Sequence, residues 1–313
     1  MKVLVTGGAG FIGSNLADEL ILRNHQVIVV DNLSTGKLSN VSKDAKFYKC
    51  DITNKEKLHE VFASEKPDVV FHLAAQINVR TSIADPVRDA NVNVLGSINL
   101  LNCCREFNSR IIYSSSGGAV YGEPRYLPAD ESHPISPLSP YGVSKYTVEK
   151  YIELYSSLYN LEYTILRYGN VYGPRQDPAG EAGVVAIFTD SMLNNKPLTV
   201  FGDGNQTRDF VFVSDVVNAN LLALDKNVQD AFNIGTGIKT SVNDIVQSLE
   251  KILERKAEVR FSNPIKGEVR DIFLDISKAR KQLGFNPRFS LDKGLEMTMR
   301  WAKERNLISS SII

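Results

Sequence analysis

The feature that most constrains the fold of this chain is a glycine-rich segment directly after its first apolar run. Lys2 to Thr6 has the composition of a buried strand, and a helical pattern begins at Phe11. Between and just after these bounds three glycines are spaced as Gly-x-x-Gly-x-x-Gly, namely Gly7, Gly10 and Gly13. Such glycines make a tight turn and let the backbone approach a pyrophosphate at a positive helix N-terminus. The segment therefore predicts a strand, turn and helix that bind a dinucleotide.

Strand-like and helical patterns alternate through the first half of the chain. The apolar runs predicted as strands are 2–6, 26–30, 46–50, 69–71, 110–114 and, after a long helix near 141–159, 162–167. Segments with helical periodicity lie between them at 11–23, 54–64 and 86–107. This alternation is typical of a parallel sheet covered by helices on both faces. We expect an α/β fold with a Rossmann-type doubly wound parallel sheet.

An acidic residue, Asp31, ends the second predicted strand in the string VIVVDNLSTGK. A carboxylate at this point accepts hydrogen bonds from an adenosine ribose and repels a 2′-phosphate. The nearby cation Lys37 favours a 2′-phosphate and so argues the other way. Together with the glycine segment, Asp31 predicts NAD rather than NADP as the cofactor.

The character of the sequence changes after Gly173. Polar and glycine-rich stretches, such as 177–183 and 202–204, then interrupt shorter elements. We expect an NAD-binding Rossmann domain over 1–173 and a smaller C-terminal α/β substrate-binding domain over 174–313. Strands near 210–235 are expected to return to the first domain.

Charge and cysteine usage limit the classes of partner and compartment. Lys+Arg and Asp+Glu both total 36, so the net charge does not favour nucleic acid or anionic membranes. The start MKVLVTGG lacks the features of a signal peptide, and no apolar run has the length of a membrane span. The three cysteines, Cys50, Cys103 and Cys104, read as buried thiols of a reducing compartment. We expect a cytoplasmic protein.

The four histidines lack the spacing of metal ligands, so no metal is expected.

A Tyr-x-x-x-Lys pattern, Tyr141 to Lys145, follows Pro140, which suits the first turn of a helix. The two side chains then project from one face of that helix. An ammonium beside a phenol lowers the pKa of the phenol and makes it a general base, and a nicotinamide cation acts in the same direction. On an exposed helix the same spacing is usually a solvated pair. The string Ser114-Ser115-Ser116 at the end of a predicted strand supplies hydroxyls that could orient a substrate oxygen.

These motifs occur with others over nearly the whole chain. They are TGGAGFIG, VDNLSTG, CDITN, FHLAAQ, NVNVLGS, YSSSGGAVYGE, SPYGVSK, LRYGNVYGPR, FGDGNQTRDFVFVSDV, FNIGTG and LDISKA. The chain thereby resembles the extended short-chain dehydrogenases, specifically the UDP-glucose 4-epimerase group. The resemblance implies NAD-dependent 4-epimerisation of a UDP-hexose, UDP-glucose or UDP-galactose, through a transient 4-keto sugar. It also implies a homodimer joined through the helices of 86–107 and 141–159.

The resemblance further implies roles for individual residues. Tyr141 is implied as the base, Lys145 as its partner and ribose ligand, and Ser116 as the hydroxyl that binds the 4-oxygen of the sugar. The positions that it implies for the cofactor are Gly7, Gly10, Phe11, Ile12, Gly13, Asp31, Asn32, Ser34, Thr35, Gly36, Asp51, Ile52, Leu73, Ala74, Ala75, Gln76, Asn93, Ser114, Tyr141, Lys145 and Tyr168. Those that it implies for the UDP-sugar are Ser116, Tyr141, Asn170, Val184, Thr199, Phe201, Arg208 and Arg270.

Two segments depart from the common pattern of this group. The serines are followed by Gly117-Gly118, and the segment is one residue longer than usual, so both Ser115 and Ser116 stay candidates for the catalytic hydroxyl. A dTDP-sugar 4,6-dehydratase would need an Asp-Glu pair where these glycines stand. In the segment 266–270 the arginine that commonly precedes the glycine is absent, and Arg270 is the candidate to replace it.

The preferred sugar stays open at this point. Ile272 matches a position whose bulk limits a 2-acetamido group, and its intermediate size leaves UDP-N-acetylglucosamine as an alternative substrate. Arg80 is a cation that could receive the C6 carboxylate of UDP-glucuronate, the other alternative. A non-enzymatic NAD-binding protein would be expected to have lost the catalytic groups, and all of them are present.

Overall fold

The computed structural model describes residues 1–178, 183–264 and 269–310, of which 306–310 are described by their backbone alone. The strands are β1 Lys2–Thr6, β2 Gln26–Asp31, β3 Lys46–Lys49, β4 Val69–His72, β5 Arg110–Ser116, β6 Tyr163–Tyr168, β7 Asn170–Tyr172, β8 Leu198–Phe201, β9 Thr207–Arg208, β10 Phe210–Phe212, β11 Ala231–Ile234, β12 Thr240–Ser241 and β13 Val259–Ser262. The helices are α1 Phe11–Leu22, α2 Lys55–Glu65, α3 Val79–Ala84, α4 Pro86–Ala90, α5 Gly96–Phe107, α6 Gly117–Val120, α7 Pro140–Tyr159, α8 Val184–Leu193, α9 Val213–Lys226, α10 Val242–Leu253, α11 Ser277–Leu283 and α12 Leu291–Ser310.

Across the described ranges, seven strands form the main sheet in the order β11-β6-β5-β4-β1-β2-β3. Every neighbouring pair in this sheet is parallel. The chain first fills the sheet from β1 towards β3 and then crosses to β4, so the direction of winding reverses between β1 and β4. This is the doubly wound arrangement expected from the sequence, and each apolar run predicted as a strand lies in this sheet.

Alternating side chains of the strands enter two separate hydrophobic cores. On β1, Val3 and Val5 belong to one core and Leu4 to the other. Helices α1 and α9 pack together, as do α2, α5 and α7. Strands that are buried on both faces need an almost continuous apolar run, because neither face meets water. That requirement explains why the strand segments of the first half were visible in the sequence.

Strands of the second half pair partly with the main sheet and partly with one another. The strand β11 extends the main sheet beside β6, and β10 pairs in parallel with β7. The pairs β8 with β13 and β9 with β12 form small two-stranded sheets. The strand β11 thus lies in the main sheet and β10 does not, and the division into two domains at 173 stays a prediction.

The helix predicted over 86–107 is interrupted. A π-helical segment, Asn91–Leu95, separates α4 from α5. The side chain of Asn93 in this segment is buried and bonds the loop after β4, since its Oδ1 accepts from Gln76 N at 2.8 Å and its Nδ2 donates to Gln76 O at 2.9 Å. Such bulges are common at functional sites. The short helix α3 that follows the same loop was not anticipated.

None of the helices in the described residues is both long and apolar enough to cross a membrane.

The buried carboxylate of Asp209 ties together the segments between the main sheet and the small sheets. Its Oδ1 accepts from the backbone N and the hydroxyl of Thr236, both at 2.7 Å. Its Oδ2 accepts from Gly237 N at 3.0 Å and from Leu274 N at 3.2 Å. One side chain thus satisfies donors from the loop after β11 and from the segment that precedes α11.

Replacing Asp209 with alanine is expected to lower the free energy of unfolding by about 3 kcal/mol or more, because each buried donor left without an acceptor costs about 1–3 kcal/mol. Urea denaturation followed by circular dichroism measures this change. The matched control is Asp225→Ala, which removes a carboxylate that is 58% exposed and 3.5 Å from Arg23, and should change stability by less than about 0.5 kcal/mol. Equal urea midpoints for the two variants would contradict the structural role of Asp209.

Candidate active site

A cavity of about 660 Å³ lies at the carboxyl ends of the central strands, where the winding of the sheet reverses. Ligands of doubly wound proteins bind in this crevice. The predicted cofactor residues that line it are Gly7, Gly10, Phe11, Ile12, Gly13, Asp31, Asn32, Ser34, Thr35, Asp51, Ile52, Leu73, Ala74, Ala75, Gln76, Ser114, Tyr141, Lys145 and Tyr168. Gly36 and Asn93 are not among the lining residues. The cavity is continuous from the glycine loop to the Tyr-x-x-x-Lys pair.

The glycine loop has no room for side chains. Gly7 has a φ of +70°, and a Cβ there would lie 2.8 Å from Ala74 N. A Cβ on Gly13 would lie 2.3 Å from Gly7 O. Helix α1 starts after Gly10 without a side-chain cap and without an acidic residue in its first turn. Its first N–H groups and its positive end are therefore suited to the pyrophosphate of a dinucleotide.

Backbone hydrogen bonds fix the carboxylate of Asp31. Its Oδ2 accepts from Ala9 N at 3.0 Å and its Oδ1 from Leu33 N at 2.8 Å. Gly36 packs behind this carboxylate, since a Cβ on it would lie 3.0 Å from Asp31 Oδ1. The cation that argued for NADP, Lys37, forms an ion pair with Asp177. This pairing offsets the charge that would otherwise attract a 2′-phosphate.

Asp51 lies in the wall of the cavity together with Asn32 and Ile52. Burial raises the pKa of Asp51, but hydrogen bonds from Thr53 and Asn32 outweigh burial and hold that pKa below its usual value. Asn32 Nδ2 donates to Asp51 Oδ2 at 2.7 Å, and the Thr53 hydroxyl donates to Asp51 Oδ1 at 2.7 Å. Asp51 is therefore an ionised acceptor at neutral pH.

Helix α7 carries Tyr141 and Lys145 into the cavity. It begins at Pro140, and the Ser139 side chain caps it by accepting from Gly142 N at 3.2 Å. The Lys145 ammonium lies 5.9 Å from the centre of the Tyr141 ring and donates to Ser114 O at 2.8 Å. The Tyr-x-x-x-Lys pattern is thus a feature of the site and not a solvated surface pair.

The protein's own groups raise the pKa of Tyr141. Burial raises it to about 12, a side-chain interaction with Ser116 opposes this, and the carboxylate of Asp89 adds to it. Burial also lowers the pKa of Lys145 to about 8, although Asp89 and Glu149 oppose that change. The lowering of the tyrosine pKa predicted from the sequence is therefore wrong for the protein alone. A positive charge from the cofactor is needed to bring the phenol closer to ionisation.

The three serines at the end of β5 differ in their surroundings. Ser114 and Ser116 are half-buried and alternate with the buried Ser115. The Ser115 hydroxyl donates to Glu149 at 2.5 Å, and Glu149 is paired with Arg167 at 2.6 Å. Ser115 is therefore engaged in a buried network, whereas Ser116 interacts with Tyr141. This contrast favours Ser116 as the hydroxyl beside the base.

Tyr168 forms a buried part of the cavity wall. Its hydroxyl donates to Asn220 Oδ1 at 3.0 Å, and burial raises its pKa. The phenol is therefore neutral and supplies an apolar ring edge next to the catalytic groups. Asn93 acts from outside the cavity, since its hydrogen bonds hold Gln76, which lines it.

The predicted substrate residues other than Ser116 and Tyr141 lie outside the lining of this cavity. These are Asn170 on β7, Val184 on α8, Thr199 and Phe201 on β8, Arg208 on β9 and Arg270. Phe201 is 37% exposed, and the Arg80 guanidinium carbon lies 5.7 Å from the centre of its ring.

The cations of this group have protein partners. Arg270 pairs with Asp203 at 2.9 Å, and Arg208 donates to Arg270 O at 3.1 Å. Lys266, Gly267 and Glu268 belong to the segment that differs from the common pattern of the epimerase group. They lie outside the described residues. Ile272, expected to limit a 2-acetamido group, is buried and does not line the cavity.

The segment after β7 contributes cavity residues that the sequence interpretation missed. Arg175, Gln176 and Asp177 line the cavity, and Arg175 is paired with Asp18 of α1 at 2.7 Å. Within the described parts of the chain, Arg175 Nη1 and Gln176 Oε1 are buried without a hydrogen-bond partner. These residues could have been predicted from the sequence, because they form a polar run directly after a strand and a Gly-Pro turn. These atoms suit the polar groups of a bound dinucleotide.

Gly117 leaves no space for an acidic side chain after the serines. A Cβ on Gly117 would lie 2.8 Å from the Leu274 side chain. The acid that a 4,6-dehydratase needs at this point is absent, and the packing disfavours its introduction. No group of three or more His, Cys, Asp or Glu side chains within the described residues is arranged to hold a metal ion.

The fold and the site together define an α/β protein of the short-chain dehydrogenase class, with a dinucleotide cleft and a Tyr-x-x-x-Lys pair. The sequence model of the NAD dependent epimerase/dehydratase family matches residues 3–235. A putative UDP-glucose 4-epimerase of Methanocaldococcus jannaschii is 53% identical, over 97% of this chain and 99% of that protein. The chain belongs to the NAD dependent epimerase/dehydratase family.

Solved structures agree closely with this fold. The UDP-glucose 4-epimerase of Thermotoga maritima with UDP-glucose has a TM-score of 0.96 and 47% identity, over 98% of this chain and all (100%) of that chain. The UDP-glucose 4-epimerase of Thermus thermophilus in complex with NAD has a TM-score of 0.93 and 40% identity, over 97% of this chain and 99% of that chain.

Asp31→Asn is expected to weaken NAD binding about tenfold or more and to reduce the preference for NAD over NADP, because the ribose acceptor loses its negative charge. Calorimetric titration with both nucleotides, after any co-purified nucleotide is removed, measures the two affinities. The double variant Asp31→Asn/Asp177→Asn should bind NADP more tightly still, since Lys37 loses its ion-pair partner. Asp177→Asn alone is the control and should keep the preference for NAD. An unchanged ratio of affinities in Asp31→Asn would contradict the role of Asp31.

Proposed function

We propose that this protein interconverts UDP-glucose and UDP-galactose by NAD-dependent epimerisation at C4 of the sugar. The observation that carries the proposal is the single cavity that joins the glycine loop and Asp31 to Tyr141, Lys145 and Ser116. An enzyme that oxidises and re-reduces one carbon needs a dinucleotide beside that carbon and an acid–base group beside the oxygen that the carbon carries. The relatives at 53% and 47% identity, named UDP-glucose 4-epimerases, support this function.

NAD is the cofactor, and the residues that would hold it follow the length of the cavity. Gly7 to Gly13 and the start of α1 would receive the pyrophosphate, and Asp31 the adenosine ribose. Asp51 supports the adenine end as an ionised acceptor. Lys145, fixed by its bond to Ser114 O, would hold the ribose at the nicotinamide end. When bound, NAD accepts the hydrogen of C4 with its electron pair and later returns it.

The acid–base work falls to Tyr141. Its phenolate oxygen would take the proton of the C4 hydroxyl as C4 is oxidised, and the resulting phenol would give that proton back to the 4-oxygen when C4 is reduced. Ser116 would donate a hydrogen bond to the same oxygen and fix its position. The nearby Lys145 ammonium stabilises negative charge that forms in this part of the cavity. The buried Tyr168 forms part of the wall beside these groups.

Inversion requires that the 4-keto sugar turn over while its nucleotide stays bound. We propose that the segment after Asp177 holds the UDP group and that 1–173, with β11 and the cavity residues Arg175, Gln176 and Asp177, holds NAD. The ring of Phe201 and the strand position of Thr199 suit a uracil, and the cations Arg208 and Arg270 suit a diphosphate. Arg270 would then exchange its partner Asp203 for the substrate. Tight contacts at the nucleotide and few at the sugar would permit the rotation.

Tyr141→Phe is expected to reduce kcat by about 100-fold or more, because general acid–base catalysis contributes about 10²–10⁴. The measurement is the conversion of UDP-galactose to UDP-glucose, with the two sugars resolved by chromatography. NAD binding should remain, since the substitution removes only the hydroxyl. Tyr146→Phe on the same helix is the matched control and should retain its activity. Turnover at the wild-type rate in Tyr141→Phe would exclude Tyr141 as the base.

The same assay with UDP-N-acetylglucosamine and UDP-glucuronate settles the preferred sugar. We expect UDP-glucose and UDP-galactose to react fastest. Arg80 does not support the uronate alternative, because its guanidinium lies over Phe201 and not at the base. Faster epimerisation of either alternative would make that sugar nucleotide the preferred substrate. The role of Tyr141 would be unchanged.

We also propose that the protein is a cytoplasmic homodimer. Helices α4, α5 and α7 pack against one another and expose apolar side chains. Val87 is 78% exposed and Leu158 is 59% exposed. Exposed apolar side chains grouped on adjacent helices are typical of an interface between protein chains. A two-fold pairing of this surface would bury both sets at once.

Leu158→Asp is expected to shift the protein from dimer to monomer, because a carboxylate would be buried without a partner at the interface. Light scattering coupled to size-exclusion chromatography measures the mass in solution. Leu22→Asp is the control, since Leu22 is exposed on α1, on the opposite side of the sheet. A monomeric wild-type protein, or an unchanged dimer in Leu158→Asp, would contradict this interface.

A further inference from the structure

We propose that Asp89 is a positioning residue for the catalytic pair: its buried carboxylate ties helix α7 to the cofactor loop, residues 73–78 after β4, and places negative charge beside the turn of α7 that carries Lys145. The proposal rests on the function inferred above and names a residue to which the sequence patterns assign no role. Asp89 lies on α4, next to the π-helical segment, and is fully buried.

Three side chains donate hydrogen bonds to Asp89. Ser144 Oγ donates to Oδ2 at 2.6 Å. Gln76 Nε2 donates to Oδ1 at 2.9 Å, and Asn93 Nδ2 donates to the same oxygen at 3.0 Å. All three partners donate, so the carboxyl group acts only as an acceptor, as an ionised carboxylate does.

The position of these donors connects Asp89 to each part of the site. Ser144 directly precedes Lys145 on α7, so its bond fixes the turn of helix that carries the ammonium. Gln76 lies in the wall of the cavity. Asn93 bonds both the backbone N and the backbone O of Gln76. One carboxylate therefore sets the distance between the cofactor loop and the catalytic helix.

A second buried carboxylate, on α7 itself, differs in its partner. Glu149 is fully buried and bonds the guanidinium of Arg167 through Nε and Nη2. In the described parts of the chain Asp89 forms no salt bridge with a cation. Burying a charge without a direct counter-ion costs free energy, so such groups concentrate at functional sites. Both carboxylates oppose the lowering of the pKa of Lys145, but Asp89 does so more strongly, and Glu149 also pairs with Arg167.

The titratable groups that face Tyr141 and Lys145 come from several elements. They are Asp89 on α4, Glu149 on α7 with Arg167 on β6, His72 on β4, Tyr113 on β5 and, in the cavity wall, Arg88. Burial, and then Lys145, lower the pKa of His72 to about 3, so it carries no charge at working pH. The Lys145 ammonium lies 5.0 Å from the centre of the Tyr113 ring. Asp89 is thus the anion of this set without its own cation.

The negative charge acts in the same direction on both members of the pair. Burial lowers the pKa of Lys145, and Asp89 opposes it, which keeps the ammonium protonated near neutral pH. Asp89 also raises the pKa of Tyr141, after burial. Removing the charge should therefore lower both pKa values together. The loss of a hydrogen bond that has only a structural role would change neither pKa.

The test compares Asp89→Asn, which removes the charge, with Ser144→Ala, which removes one hydrogen bond and keeps the charge. Epimerisation of UDP-galactose is measured against pH for both variants. Asp89→Asn is expected to lower kcat about tenfold and to move both limbs of the pH profile of kcat to lower pH by about half a unit or more. Ser144→Ala should lower kcat severalfold, leave KM within about twofold, and keep both limbs in place.

A second readout does not depend on turnover. The ionisation of Tyr141 is followed by NMR of protein labelled at tyrosine Cζ, with the resonance identified by its loss in Tyr141→Phe. Asp89→Asn should ionise Tyr141 at lower pH than the wild type does, and Ser144→Ala at the same pH as the wild type. If the wild-type protein does not epimerise UDP-sugars, the proposed function fails, and this titration still decides the role of Asp89.

Three results would overturn the proposal. They are a wild-type kcat in Ser144→Ala, a Tyr141 titration in Asp89→Asn that matches the wild type, and equal displacement of the pH limbs in both variants. If Asp89→Asn does not fold, the kcat of Ser144→Ala decides whether Asp89 positions the catalytic helix. That variant removes the bond between them with only a small loss of volume.

Discussion

The hydrogen bond from the Lys145 ammonium to Ser114 O, 2.8 Å long, joins helix α7 to the end of β5. Almost every feature of the site depends on this contact. It brings a helix that follows the sheet strand by a long connection back to the carboxyl edge of the sheet. There the Tyr141 ring meets Ser116, and both face the cavity that begins at the glycine loop. The ammonium lies 5.9 Å from the centre of the Tyr141 ring, and burial is the largest influence on the pKa of Tyr141.

Burial and charge act against each other throughout this site. Burial lowers the pKa of Lys145 and raises that of Tyr141, and both changes oppose the charged forms. The carboxylate of Asp89 raises the pKa of both residues. It therefore favours the charged lysine and disfavours the charged tyrosine. The phenol therefore needs the positive charge of the oxidised cofactor to become a base. This dependence would couple proton removal to the presence of NAD in its oxidised form, which suits a reaction that must not begin without it.

Much of the fold and part of the site follow from the sequence for physical reasons. Strands buried on both faces need continuous apolar runs, so β1, β2 and β5 were visible. Gly7 and Gly13 were visible because backbone atoms at 2.8 Å and 2.3 Å leave no space for a Cβ.

Contacts between distant segments were not visible in the same way. The bond between Asp89 and Ser144, and the pairing of Lys37 with Asp177, join residues far apart in the chain. The π-helical segment within 86–107 depends on Asn93 reaching the loop after β4, and no local propensity signals it. The direction of the Tyr141 pKa was wrong because the two-residue pattern carries no information on burial.

The central claim is that hydrogen leaves C4 of the sugar and returns to the same carbon within one bound complex. It is tested most directly with UDP-glucose that carries deuterium at C4, incubated with the protein in ordinary water. If hydrogen returns to C4 as proposed, UDP-galactose forms with deuterium still at C4, as measured by NMR of the product. Product that carries protium at C4, taken up from the solvent, would contradict it.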